Sequence, residues 1–346
     1  MDARFETVEL TLDVPFTISR GTTATTENVV VSLEHGGETG YGAAAPAAHY
    51  GETPATVAAL LPDLLEVVED VGDPHARVAI HERMLEVARD NPAARAAVDI
   101  ALWDLAGKLL ETPVYRLLGL SGDPRSCPPT SFTIGIDETD AMAERAQEAV
   151  EAGHGVLKLK LGTEPDRDLA IVAAVREVAP DAVVRVDANE AWTPKEAVRK
   201  CAALADHDVE FVEQPVPAED PNGLRQVHQR SPLPIAADES CLTAVDIPSI
   251  ADRCDIANLK LMKTGGITPA IELIHAARAH GLEVMCGCMV ESNAAIAGGA
   301  QLLPLLDYAD LDGSLLLASD PYAGVPIVDG EFDLGAVEAG TGVEPR

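Results

Sequence analysis

From Cys127 onward the chain alternates short apolar runs with longer stretches of helical periodicity. The runs are Pro129–Gly135, Gly155–Leu161, Val183–Ala188, Glu210–Glu213, Ile235–Asp238, Ile256–Met262, Glu283–Gly287 and Tyr308–Leu311. Amphipathic segments separate them, among them Asp137–Ala152, Asp166–Val178, Pro194–Leu204 and Thr268–His280. Eight strands with seven intervening helices predict an α/β fold closed into a parallel (β/α)7β barrel, a modified TIM barrel. An open doubly wound sheet is the alternative, weakened because no Gly-rich dinucleotide fingerprint follows any strand.

The first part of the chain has a different rhythm. Phe5–Val14 alternates, Asn28–Leu33 is β-rich, and Glu38–Ala43 follows the hairpin signal His35-Gly36-Gly37. Phe16–Thr23 reads as a loop with one positive charge, Arg20. Three helical patterns follow: one near Thr53-Pro54, one after Asp73-Pro74, and one from Asn91-Pro92 to about Leu109. Strands followed by helices make an α+β unit. The tail, Val325–Val343, carries strand and turn signals without a helix and is expected to return to that unit. The division expected is therefore 1–125, 126–319 and 320–346.

At 346 residues there is room for one large barrel and a smaller domain. The 47% hydrophobic and 3% aromatic composition suits well-filled α/β layers. The 57 acidic and 25 basic residues give a formal charge of −32, which disfavours nucleic acid and reads as the solvated surface of a halophile. Six cysteines without zinc-type spacing are expected to be buried free thiols. With no long apolar run, a cytoplasmic protein away from the membrane is expected, as a homo-oligomer.

Candidate chemistry begins at Lys158-Leu159-Lys160. Residues at i and i+2 of a strand share a face, so both ammonium groups point the same way, and their repulsion together with burial lowers a lysine's pKa towards that of a general base. A surface strand with two solvated lysines is the alternative. The chain has only seven lysines, however, and four of them (Lys158, Lys160, Lys260 and Lys263) fall in two strand-like segments. From Lys160 to Asp187, Glu213, Asp238 and Lys263 the steps are 27, 26, 25 and 25 residues. About one βα unit each, they put one polar group at the C-terminal end of each successive strand, where barrel active sites lie. Three carboxylates on adjacent strands form a hard oxygen site suited to Mg²⁺, with Mn²⁺ as a substitute. Taken singly, each acid would be a cap or a surface charge.

These residues resemble the enolase superfamily, muconate-lactonizing subgroup. The segment Ala101-Leu102-Trp103-Asp104-Leu105-Ala106-Gly107-Lys108 through Leu117-Leu118-Gly119 is similar to that family's last capping helix, so the N-terminal unit would be a capping domain completed by the tail. The resemblance implies Asp187, Glu213 and Asp238 as metal ligands, with Lys160 and Lys263 as bases on opposite faces of the substrate. It implies further that Lys158 supports the substrate carboxylate and depresses the pKa of Lys160. The reaction implied is α-proton abstraction through an enediolate.

Asp310-Leu311-Asp312 after the last strand looks like the Asp-x-Asp pair with which dipeptide epimerases hold an ammonium group, although it would also pass for two more acids in an acidic chain. Cys286 to Ser292, with Cys288 and Met289, resembles their seventh-strand motif. Arg20 could meet an acidic substrate side chain or stand solvated, and Thr133 could touch substrate or pack. His49, His154, His275 and His280 find no partner at strand ends. The expected activity is Mg²⁺-dependent epimerisation of a dipeptide. The alternatives are o-succinylbenzoate synthase, N-acylamino acid racemase or muconate cycloisomerase of the same subgroup, and a catalytically silent binding barrel.

Overall fold

The computed structural model describes residues 1–163 and 167–346. Three antiparallel strands open the chain: β1 (Asp2–Ile18), β2 (Gly21–His35) and β3 (Glu38–Ala44). The β2–β3 turn places Gly36 and Gly37 at φ 64° and 93°, the positive values that a two-residue hairpin of this type demands. The stretch expected as a loop, Phe16–Thr23, is instead the tip of the β1–β2 hairpin, paired Phe16 to Thr23, Thr17 to Thr22 and Ile18 to Gly21. Pro15, which has no N–H to donate, falls in the register shift between Thr11 and Phe16. In the sequence it reads as the end of a strand; here the strand bends and continues.

Helices α1 (Pro54–Val71), α2 (Arg77–Val87) and α3 (Pro92–Leu109) follow, with a short α4 (Val114–Leu117). Thr53 begins α1 with a reciprocal capping box to Thr56. From Ala93 to Lys108 every residue of α3 is buried, so it has no solvent face and its alanines contact neighbours on all sides. A Cβ at Gly40 or Gly42 would strike the α3 backbone, so these two glycines let the helix lie directly on β3. On its other side Asp99 accepts from the Thr268 amide (2.9 Å) and hydroxyl (2.5 Å), which ties α3 to the barrel helices.

The strands of the second sheet are β4 (Phe132–Ile134), β5 (Val156–Lys160), β6 (Val183–Asp187), β7 (Val209–Glu213), β8 (Ile235–Ala237), β9 (Ile256–Lys260), β10 (Glu283–Gly287) and β11 (Tyr308–Asp310). They form one parallel sheet in sequence order, and a parallel bridge from Thr130 to Ala309 joins its two ends into a ring. Between them run α5 (Thr139–Glu151), α6 (Asp168–Val178), α7 (Pro194–Ala205), α8 (Pro221–Arg230), α9 (Ile247–Ile250), α10 (Leu261–Thr264), α11 (Ile267–Ala279) and α12 (Asn293–Ala300). The helix expected from Asp166 is described from Asp168; Asp166 itself lies outside the described residues. Val184, Val186, Val212, Ala257, Leu259 and Val284 face outward into the main core. Phe211, Ala236, Ile256 and Met285 face inward and, with Tyr308, form a separate apolar plug inside the ring. The plug floors the barrel, so the polar residues above it open only to the mouth.

The tail returns along α3. Thr341 donates to Asp104 through its amide (2.7 Å) and hydroxyl (2.9 Å), and Lys108 donates to the Val343 carbonyl. No described helix is long and apolar enough to cross a membrane. All six cysteines are free; Cys127 and Cys288 are only half-buried because they lie at a loop and at the barrel mouth.

Candidate active site

Strand alternation decides which side chains enter the barrel. On β5, Leu157 and Leu159 face the helices, so Lys158 and Lys160 must face inward. By the same parity Asp187 enters from β6, Glu213 from β7, and Asn258 with Lys260 from β9. Lys160, Asp187 and Glu213 stand on one rung of the sheet. Asp238 follows β8 directly, and its amide is held by the Gln214 side chain at 3.0 Å.

Asp187, Glu213 and Asp238 are fully buried, and their acceptor atoms all lie within 4.8 Å of one another. Lysines surround them. Lys158 lies 2.7 Å from Glu213, 3.2 Å from Asp187 and 2.6 Å from Asp310, while Lys160 lies 2.6 Å from Asp187. Lys260 and Lys263 lie 2.8 and 2.5 Å from Asp238. Burial alone would raise Asp238, but these two lysines outweigh it and hold the carboxyl well below its usual range. Glu213 goes the other way: burial and the like charge of Asp187 push it up to about 7. Three buried carboxylates, one of them short of positive charge, are a donor set that fits a hard divalent cation.

The depression expected for a paired lysine is not found at Lys158. Burial would lower its pKa, but Asp310, Glu213 and Asp187 more than offset that and raise it well above the ordinary value. The three carboxylates around Lys158 decide the sign.

A cleft of about 190 Å³ lies over this centre. Lys158, Lys160 and Lys260 line it, whereas Lys263 does not. The chain leaves β9 after Lys260 and turns at once into α10, which ends at Gly265 with φ 95°. That turn swings Lys263 behind the mouth, where its side chain is fully buried against Asp238 and the Asn258 carbonyl. The expected 25-residue step to Lys263 measured distance along the chain and missed the strand end. Asn258 and Lys260 repeat the i, i+2 pattern of Lys158 and Lys160, the signal that would have identified Lys260. Gly287 on the next strand leaves room for it, since a Cβ there would meet Lys260 Cε at 3.1 Å.

The eight-strand order places β5 and β9 four strands apart, on opposite sides of the ring. Lys160 and Lys260 therefore reach the cleft from opposite directions. The acidic trio fills the arc between them on β6 to β8, and β10, β11 and β4 form the other arc. There Asp310 accepts from Ser131 (2.5 Å), Thr133 (3.3 Å) and Lys158, and Asp312 accepts from the Thr133 amide at 2.5 Å. Asp310 is held below its usual range, because Lys158 and Lys160 outweigh burial. Burial and Asp310 push Asp312 up to about 7. Cys288 lies with its sulfur 4.0 Å from Asp312, and Met289 also lines the cleft.

The hairpin tip covers the mouth. Arg20 donates to Glu190 (3.1 Å), Glu239 (2.8 Å) and the Asn189 carbonyl (3.2 Å). His49, expected to have no partner, lies with Nε2 3.3 Å from Glu190. Behind the opposite arc, Asn28 of β2 bonds both the Val290 carbonyl and the Ser292 amide.

Two family models match the chain. Residues 1–119 match the mandelate racemase / muconate lactonizing enzyme N-terminal domain, and residues 141–346 match the enolase C-terminal domain-like model. A hydrophobic dipeptide epimerase of Roseobacter litoralis is 40% identical over 337 residues, covering 95% of each chain. An L-Ala-D/L-Glu epimerase of Bacteroides thetaiotaomicron is 36% identical over 335 residues, 96% of this chain and 85% of that one. Among solved structures, a dipeptide epimerase of Enterococcus faecalis complexed with Mg and the dipeptide L-Leu-L-Tyr superimposes with a TM-score of 0.90 at 37% identity. It covers 99% of this chain and 98% of that one.

Proposed function

Because this chain belongs to the mandelate racemase / muconate lactonizing enzyme family, we propose that it is a Mg²⁺-dependent dipeptide epimerase, inverting the α-carbon beside the substrate carboxylate. The observation that carries the reading is the cleft itself, with lysines on opposite sides, an acidic trio on one arc and an Asp-x-Asp pair on the other. Asp187, Glu213 and Asp238 would hold the Mg²⁺, which when bound would stabilise the charge that develops on the substrate carboxylate.

Lys160 takes the α-proton from one face, and Lys260, in place of Lys263, returns one from the other. Their placement on β5 and β9 supports this, because inversion needs a donor and an acceptor on opposite sides of one carbon. Lys158 lies between the arcs and steadies the substrate carboxylate as a cation. Asp312 takes the substrate ammonium: Asp310 is already bonded by Lys158 and Ser131, whereas Asp312 is short of positive charge. A dipeptide spans ~7 Å when extended, a length suited to reach from one arc to the other. Thr133 orients Asp312, and Cys288 and Met289 wall the cleft. The α+β unit caps the barrel mouth, and the formal charge of −32 supports a halophilic setting.

The ammonium-binding pair counts against the synthase and cycloisomerase alternatives, whose substrates carry no such group. Incubation of free dipeptides with enzyme and Mg²⁺ in D₂O, read by mass, tests the function. Gain of one deuterium at the C-terminal α-carbon, with appearance of the epimer, is expected. Conversion of a succinylbenzoate precursor without dipeptide exchange would refute the proposal.

A further inference from the structure

Arg20 is the one cation lining the cleft that does not come from the barrel lysines, among the described residues. A free guanidinium there would receive an acidic substrate side chain, but this one is already engaged. Glu190 and Glu239 hold it from the ends of β6 and β8, so the local sum is two carboxylates against one cation. Burial would lower the Arg20 pKa, and the two glutamates more than reverse that. The clamp is built into the fold. Glu190 is fixed by the Ala218 amide at 2.8 Å, and Ser19 beside Arg20 bonds the Asn189 carbonyl at 3.0 Å. Glu239 is 5% exposed, and its Oε2 has no hydrogen-bond partner, which leaves a buried acceptor beside the cleft. His49, Glu190 and Glu239 have ligand-like spacing, but Arg20 already occupies both carboxylates, so the arrangement does not favour a second metal ion.

The clamp sits above the arc of the acidic trio. On the epimerase reading, which this inference rests on, the side chain next to the substrate carboxylate extends towards that arc. We infer that Glu190 and Glu239 are specificity-determining residues, which cancel Arg20 as an anion receptor and restrict the enzyme to dipeptides whose C-terminal residue is uncharged and apolar. A third carboxylate brought to Arg20 would meet two already there. Phe16, Ile18, Met289, Val290 and Leu316, which also line the cleft, offer apolar surface instead. Arg20 is thus a strut that fastens the hairpin tip to the barrel mouth.

The test compares L-Ala-L-Leu with L-Ala-L-Glu by α-proton exchange in D₂O with the Mg²⁺-loaded enzyme. The wild type should favour L-Ala-L-Leu by at least about tenfold in kcat/KM. Glu190→Gln keeps an oxygen for the Ala218 amide but removes one charge, and should shift the ratio towards L-Ala-L-Glu by about fivefold or more. Glu239→Gln provides a second reading if the first variant melts early. Arg20→Met should lower both substrates alike. A wild type that prefers L-Ala-L-Glu, or a ratio unmoved in both glutamine variants, overturns this inference and leaves the epimerase reading intact. Absence of exchange with every free dipeptide overturns both.

Discussion

Replacing Lys260 and Lys263 one at a time separates chemistry from architecture. Lys260 makes one ion pair, at 2.8 Å to Asp238, and Asp238 keeps Lys263 when it is removed. Lys260→Ala should therefore fold, and a lost general acid–base group costs roughly a hundred- to ten-thousand-fold in rate. That loss should fall on exchange from one epimer only, since Lys160 still serves the other face. Lys263 is fully buried and donates to the Asp238 carboxylate (2.5 Å), the Asp238 carbonyl (2.8 Å) and the Asn258 carbonyl (2.8 Å). Lys263→Met removes three buried hydrogen bonds, although Asp238 keeps Lys260 at its carboxylate and the Cys241 amide at its carbonyl, and breaking a buried pair costs ~3–5 kcal/mol. This variant should melt several degrees lower and lose exchange from both epimers in the same proportion. The assay is ¹H NMR loss of the α-proton in D₂O, started from each epimer separately, beside a thermal melt by circular dichroism. A Lys263→Met protein with normal melting and a one-sided exchange defect would refute the argument. So would a Lys260→Ala protein that exchanges both epimers normally.

Chelation should abolish exchange, and Mg²⁺ or Mn²⁺ should restore it; a Glu213→Gln protein with unchanged Mg²⁺ dependence would count against the trio. In the metal-free protein Glu213 sits at about 7 instead of the usual 4.5, so between those values the folded state keeps a proton that the unfolded chain releases. Its contribution to stability therefore falls as pH rises through that window, and melts in chelator should show a decline that Mg²⁺ removes; a pH-independent difference between the two would contradict it. Asp312→Asn should lower kcat/KM for free dipeptides by about tenfold and leave N-acetylated ones little changed, since charge-assisted hydrogen bonds contribute ~1.5–3 kcal/mol each. Equal losses on both substrates would move the ammonium site elsewhere.

What the sequence determined by itself is what repeats locally. Alternation along each run fixes the inward and outward faces of β5 to β10, and it puts Lys158, Lys160, Asp187 and Glu213 inside without any knowledge of neighbours. The spacing of the βα units then brings the three carboxylates to one height. The tertiary structure decided everything that depends on a partner distant in the chain or on a chain reversal. Lys260 enters the cleft and Lys263 leaves it because the chain coils immediately after β9, a turn that an apolar run through Met262 conceals. Phe16–Thr23 becomes a hairpin tip because cross-strand pairing carries β1 past Pro15. The clamp on Arg20 joins residues 170 and 219 positions away, and the pull of its carboxylates on the cation acts through space. Periodicity records which face a residue takes; which charges meet is decided only when the barrel closes and the hairpin folds down over its mouth.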